Sequence, residues 1–86
     1  MTEIERLKEK FRIRLPNVKI SLEKSSNPEV DSWDLCLVFK SREIAIEWQP
    51  KENIFSVLGL GVQYWRRKIY KDSVKLFDDV VIALDD

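Results

Sequence analysis

The chain has 86 residues, with 15 basic and 15 acidic side chains, no histidine and one cysteine. That length holds one domain rather than two. The balanced charge argues against a strong non-specific grip on nucleic acid, and a single cysteine excludes an intrachain disulfide. The hydrophobic share of 44% suits a globular domain, while the charged share of 35% exceeds the usual value of about 25%, as expected of a small domain with much surface. No apolar run approaches the roughly 20 residues needed to span a membrane, and no signal-peptide pattern is present. A soluble, cytoplasmic protein without membrane attachment is expected.

The first element runs from Thr2 to about Arg12. Thr2 and Glu5 form a T-x-x-E capping box, and Ile4, Leu7 and Phe11 make a narrow apolar stripe at helical spacing. Pro16 ends the helix, because the residue before a proline is pushed out of the α region. Val18, Ile20 and Leu22 alternate with polar residues and predict a half-buried strand. The polar segment Lys24 to Ser32 reads as a surface loop.

The clearest signal is Trp33 to Gln49. Apolar residues alternate at Trp33, Leu35, Leu37 and Phe39, and again at Ile44, Ile46 and Trp48, with Lys40-Ser41-Arg42-Glu43 between the two runs. Period-two alternation on both sides of a short polar connection predicts an antiparallel hairpin with one dry face. Its other face holds Asp34, Cys36, Val38, Glu43, Ala45 and Glu47, which is half apolar. Pro50 to Asn53 reads as a turn, and Ile54 to Leu58 as a fourth strand. Gly59-Leu60-Gly61 bends or breaks it, and Val62 to Trp65 is a candidate fifth strand. Arg66 to Lys71 leads into a second helix over Ser73 to Leu84, with Asp72 as N-cap and a stripe of Val74, Phe77, Val81 and Leu84, with Val80 beside them.

These elements predict an α+β fold. An antiparallel four- to five-stranded sheet carries an N-terminal and a C-terminal helix on one face, in α-β-β-β-β-α order, as one domain over residues 1–86.

Chemistry-bearing motifs are sparse. No histidine can activate a serine, and a reactive Cys36 lacks the base or cationic setting a thiolate needs. Cys36 reads as a small buried hydrophobe. Glu43 and Glu47 share a strand face but read as ordinary charges on a wet surface. The pair Asp78-Asp79 lacks calcium-loop spacing, and Gly59-x-Gly61 lacks the third glycine of a phosphate loop. No catalytic residue, metal or cofactor is expected.

Charge is nonetheless uneven. Residues 51–75 carry six bases and two acids, and residues 76–86 carry four aspartates and no base. Within the basic stretch, Tyr64, Trp65, Arg66, Arg67, Lys68 and Lys71 interleave aromatics with cations just before a helix N-terminus. Aromatics and arginines of this kind anchor protein partners or stack on nucleic acid. This segment is the candidate partner-binding site, with a protein or a second copy of the chain (a homodimer) ranked ahead of nucleic acid.

The helix–strands–helix order resembles the double-stranded-RNA-binding domain, which has three strands between its helices. Lys71-Asp72-Ser73-Val74-Lys75 stands where that fold has a basic K-K-x-A-K-type helix start, and no G-P-x-H-type loop is present. A second resemblance rests on Ile44-Ala45-Ile46-Glu47-Trp48-Gln49-Pro50, Ser56-Val57 and Tyr70-Lys71-Asp72. Together they look like a small uncharacterised bacterial α+β domain found alone or near helix-turn-helix regulators, over residues 30–84. That family tends to carry a glycine-rich acidic segment where this chain has Gln63 to Lys68. The resemblance implies a bacterial origin; the absence of catalytic motifs, together with three tryptophans in a domain too small to hide all of them easily, predicts a non-enzymatic interaction module, accessory to a regulator or antitoxin- or immunity-like.

Overall fold

The structure, a computed structural model, describes residues 2–27, 29–59 and 68–85. It is an α+β fold with element order α1 (Glu3–Arg14), β1 (Lys19–Lys24), β2 (Trp33–Phe39), β3 (Arg42–Gln49), β4 (Ile54–Leu58), β5 (Lys68–Tyr70) and α2 (Ser73–Asp85). The strands form one antiparallel sheet in sequence order, β1-β2-β3-β4-β5. Five strands separate the helices, not the three of the RNA-binding domain. The predicted strand at Val62 to Trp65 lies outside the described residues. The fifth strand that is described, Lys68–Tyr70, falls where the sequence was expected only to lead into the last helix.

The capping box of α1 is formed. The Glu5 amide donates to Thr2 Oγ1 at 3.3 Å, and the Thr2 amide donates to the Glu5 carboxylate at 3.0 Å. These bonds hold the Glu5 carboxyl below its usual range, chiefly through the Thr2 backbone. The helix runs one turn-fraction further than expected, to Arg14, and buries Leu15 fully at its C-cap.

The hairpin turn is tighter than the polar patch suggested. Phe39 pairs with Arg42 across it, and only Lys40 and Ser41 lie in the turn, at φ 52° and 66°. Two successive left-handed residues define the type I′ geometry that matches the twist of the flanking strands. Arg42 then reaches α2, donating to the Ala83 carbonyl at 2.7 Å, which satisfies a carbonyl in the last turn of that helix.

The core lies between the sheet and both helices. Leu35, Leu37, Ile44, Ile46, Trp48, Phe55, Val57 and Tyr70 supply one face of the sheet; Ile4, Leu7, Phe11 and Leu15 come from α1. On α2 the buried residues are Leu76, Val80, Val81 and Leu84. The expected stripe holds at Val80, Val81 and Leu84 and departs in the first turn, where Leu76 is buried, Val74 is 58% exposed and Phe77 is half-buried. The reason is that α2 packs on α1 as well as on the sheet. Phe77 turns toward the neighbouring helix, where its ring sits 4.9 Å from that of Phe11, while Leu76, Val80 and Leu84 at i, i+4 and i+8 face the strands.

The strand β5 is pinned to α2 by a polar contact. Buried Tyr70 donates its hydroxyl to Asp79 at 2.6 Å, and Lys68 and Lys75 approach the same carboxylate at 3.4 and 3.5 Å. The Tyr70 hydrogen bond, ahead of the two lysines, holds the Asp79 carboxyl below its ordinary value. Burial, reinforced by Asp79, pushes the Tyr70 hydroxyl far above its ordinary value.

Candidate partner-binding face

Both helices cover the same side of the sheet, so the parity of the strands assigns the side chains of the other side. Cross-strand register arranges them in rows. One row is Lys19, Val38 and Glu43; the next is Ser21, Cys36, Ala45 and Leu58; the third is Glu23, Asp34, Glu47, Ser56 and Ile69. Neither described helix lies over this face.

Its chemistry is unlike an ordinary wet sheet surface. Cys36, Val38, Ala45 and Leu58 form a half-buried apolar band across three strands, Ser56 is 5% exposed, and Ile69 at the far edge is 54% exposed. Beside the band, Glu23, Asp34 and Glu47 stand directly opposite one another on β1, β2 and β3. Like charges in directly opposite positions destabilise a sheet. None of the three forms an ion pair among the described residues; Glu47 accepts one hydrogen bond from Gln49, at 3.3 Å. Cys36 lies in the middle of this band, half-buried rather than fully buried as expected.

The site expected from the sequence is only partly described. Tyr64, Trp65, Arg66 and Arg67 lie outside the described residues. Lys68 is on β5, with its ammonium 3.4 Å from Asp79 and 5.2 Å from the Tyr70 ring centroid, so it is engaged within the fold. Lys71 follows the strand and is exposed. The two glutamates weighed as a catalytic pair, Glu43 and Glu47, do share the face opposite the helices with Ala45 between them. A Ser-x-x-Lys spacing, expected to be absent, does occur at Ser21 and Lys24. Both lie on β1, where an odd separation sends the two side chains to opposite faces, and Lys24 sits over the Trp33 ring at 5.7 Å.

The described residues define a class: a two-layer α+β domain with one sheet face packed and the other left with an apolar band and an acidic row. No known protein family, curated protein or solved structure matches the chain. No helix among the described residues is long and apolar enough to cross a membrane.

Proposed function

We propose that this protein is a non-enzymatic interaction module that binds a protein partner through the face of its sheet opposite the two helices. The observation that supports this reading most is the row Glu23, Asp34 and Glu47 beside the apolar band of Cys36, Val38, Ala45 and Leu58. The row costs the isolated fold stability, and among the described residues no helix covers the band. A partner carrying cations and apolar side chains relieves both. Local features that conflict with folding and have no compensation in the fold are characteristic of binding surfaces.

The size of the face sets the kind of binding. Five strands spaced about 4.8 Å apart and about 20 Å long offer roughly 400 Å². That is about half the area each partner contributes to a standard interface, so a transient complex is expected. Symmetric self-association through this face is disfavoured, because it brings two carboxylate rows together. The homodimer expected from the sequence therefore needs a different pair of surfaces. Lys71, exposed just after β5, remains a proposed contributor, as do Tyr64, Trp65, Arg66 and Arg67, which lie outside the described residues. A role accessory to a transcription regulator, or one like an antitoxin or immunity protein, is compatible with such a module. The nucleic-acid alternative loses Lys68 to Asp79 and draws no support from the acidic face.

The test is quantitative affinity capture from the source cells with the wild-type chain and with Ala45→Arg, a substitution at the centre of the band. The reading predicts a defined partner enriched by the wild type and depleted at least tenfold with the variant. An identical captured set from both chains contradicts it.

A further inference from the structure

A second surface carries the opposite charge. Five alternating strands leave α1 and α2 side by side and running in the same direction, with the Phe11 and Phe77 rings 4.9 Å apart and Arg14 3.5 Å from Asp85 near the C-terminal ends. A groove of about 440 Å³ opens between them, lined by Lys10, Ile13, Arg14, Val74 and Phe77. Lys10 also lines a second hollow of about 350 Å³ toward Arg6 and Leu7.

We propose that this groove docks an acidic amphipathic helix of another protein. Charge complementarity is the first argument. Arg6, Lys10 and Arg14 stand at i, i+4 and i+8 and line one wall of the groove. Like charges one turn apart disfavour a helix. Among the described residues neither Arg6 nor Lys10 has an ion-pair partner, and Arg14 reaches Asp85 only at 3.5 Å with both side chains substantially exposed. The apolar floor is the second argument. Ile13 is 76% exposed and Val74 58%, beside half-buried Phe77. A helix with apolar residues at i, i+3 or i+4, and i+7 covers these three, and carboxylates flanking its stripe meet the basic wall. Arg6 to Arg14 spans about 12 Å of helix, so about two turns of the partner make the contact.

An anionic membrane fits less well, because exposed Asp78 and Asp85 on α2 and Glu3 at the groove's end would press against the same surface. A second copy fits less well too: the solvent face of α2, with Lys75, Asp78 and Ile82, is mixed in charge and does not match three cations.

The test selects random 14-residue peptides displayed against the full chain, then titrates the enriched peptides by fluorescence anisotropy. Enriched sequences are expected to place Asp or Glu beside an apolar stripe at helical spacing. Their affinity should fall at least tenfold for Lys10→Glu and for Arg6→Glu, both exposed substitutions whose folding is checked by circular dichroism. Changing the peptide's acids to lysine should restore binding to Lys10→Glu. The proposal is overturned by no enrichment, by enriched peptides without acidic bias, or by peptides that bind Lys10→Glu as well as wild type. It is equally overturned if phosphatidylserine vesicles or a second copy, followed by sedimentation, are bound through Lys10 while the peptides are not. Because Arg6 and Lys10 are remote from the sheet face, capture that is sensitive to Ala45→Arg is unaffected by either outcome.

Discussion

Replacing Asp34 by lysine probes the cost of the acidic row. Asp34 is the middle member, directly opposite Glu23 on one side and Glu47 on the other. The substitution turns two like-charge pairs into two opposite-charge pairs. Cross-strand charged pairs contribute about 0.2–1 kcal/mol each, and exposed pairs sit at the low end. Reversing the sign at two pairs therefore stabilises the fold by about 1 kcal/mol, which raises Tm by about 4–8 °C in a domain of this size. Asp34→Asn removes the repulsion without adding attraction, and about half the gain is expected. Thermal and urea melts at low and high salt provide the assay. Screening at about 1 M salt, where the Debye length is about 3 Å, should stabilise the wild type and narrow its gap to Asp34→Lys. If Asp34→Lys melts at or below the wild-type temperature at low salt, or if the gap is independent of salt, the row carries no repulsion and the argument for a partner weakens with it. In the same variant, capture of the partner should fall, which sets stability against function at one position.

Three further perturbations test the fold that presents these surfaces. Tyr70→Phe removes a hydrogen bond to a charged group and should cost about 1.5–3 kcal/mol in denaturant unfolding; a loss below the error of the melt would mean that Asp79 is held by its lysines alone. The pH profile carries the same signature. The folded Asp79 carboxyl is depressed, so its contribution is present above the ordinary Asp range near 4 and is lost as pH falls through the folded value. The folded Tyr70 hydroxyl is raised, so its contribution is present below about pH 10 and is lost as pH rises beyond it; Tyr70→Phe should flatten both arms, and an unchanged profile contradicts the assignment. Ser41→Gly, at a left-handed position of the type I′ turn, should raise stability by about 0.5–1 kcal/mol, whereas a loss would show that the turn is not of that type. Leu76→Ala should cost about 2–5 kcal/mol and Val74→Ala well under 1 kcal/mol; equal losses would restore the helical stripe expected from the sequence.

The parts of the fold that were legible are those with strong local periodicity. The α1 cap is a four-residue rule, and the β2–β3 hairpin alternates over seven and eight residues, long enough for period two to declare itself. The fifth strand has three residues, Lys68–Tyr70, inside a basic run, so no alternation could be counted. The start of the α2 stripe was misplaced because Val74, Leu76 and Phe77 offer two apolar lines, and only the packing of α1 decides which one meets the sheet. The face opposite the helices was half legible. Its β2 and β3 residues followed from the hairpin, and their mixed apolar character was visible there. Glu23, Leu58 and Ile69 joined them only through register, which brings together residues up to 46 positions apart and leaves no mark in any local pattern. The groove between the helices depends on their parallel arrangement, a consequence of an odd number of strands that the sequence left at four or five.

The most direct test of the account is site-specific photo-crosslinking in the source cells, with a benzophenone amino acid at Glu43, on the exposed rim of the sheet face, and a control at Glu52 in the β3–β4 turn. The account predicts a discrete protein adduct from position 43 that disappears when Asp34→Lys or Ala45→Arg is added, and no such adduct from position 52. An adduct from position 43 that survives both substitutions, or no adduct there while position 52 gives one, contradicts it.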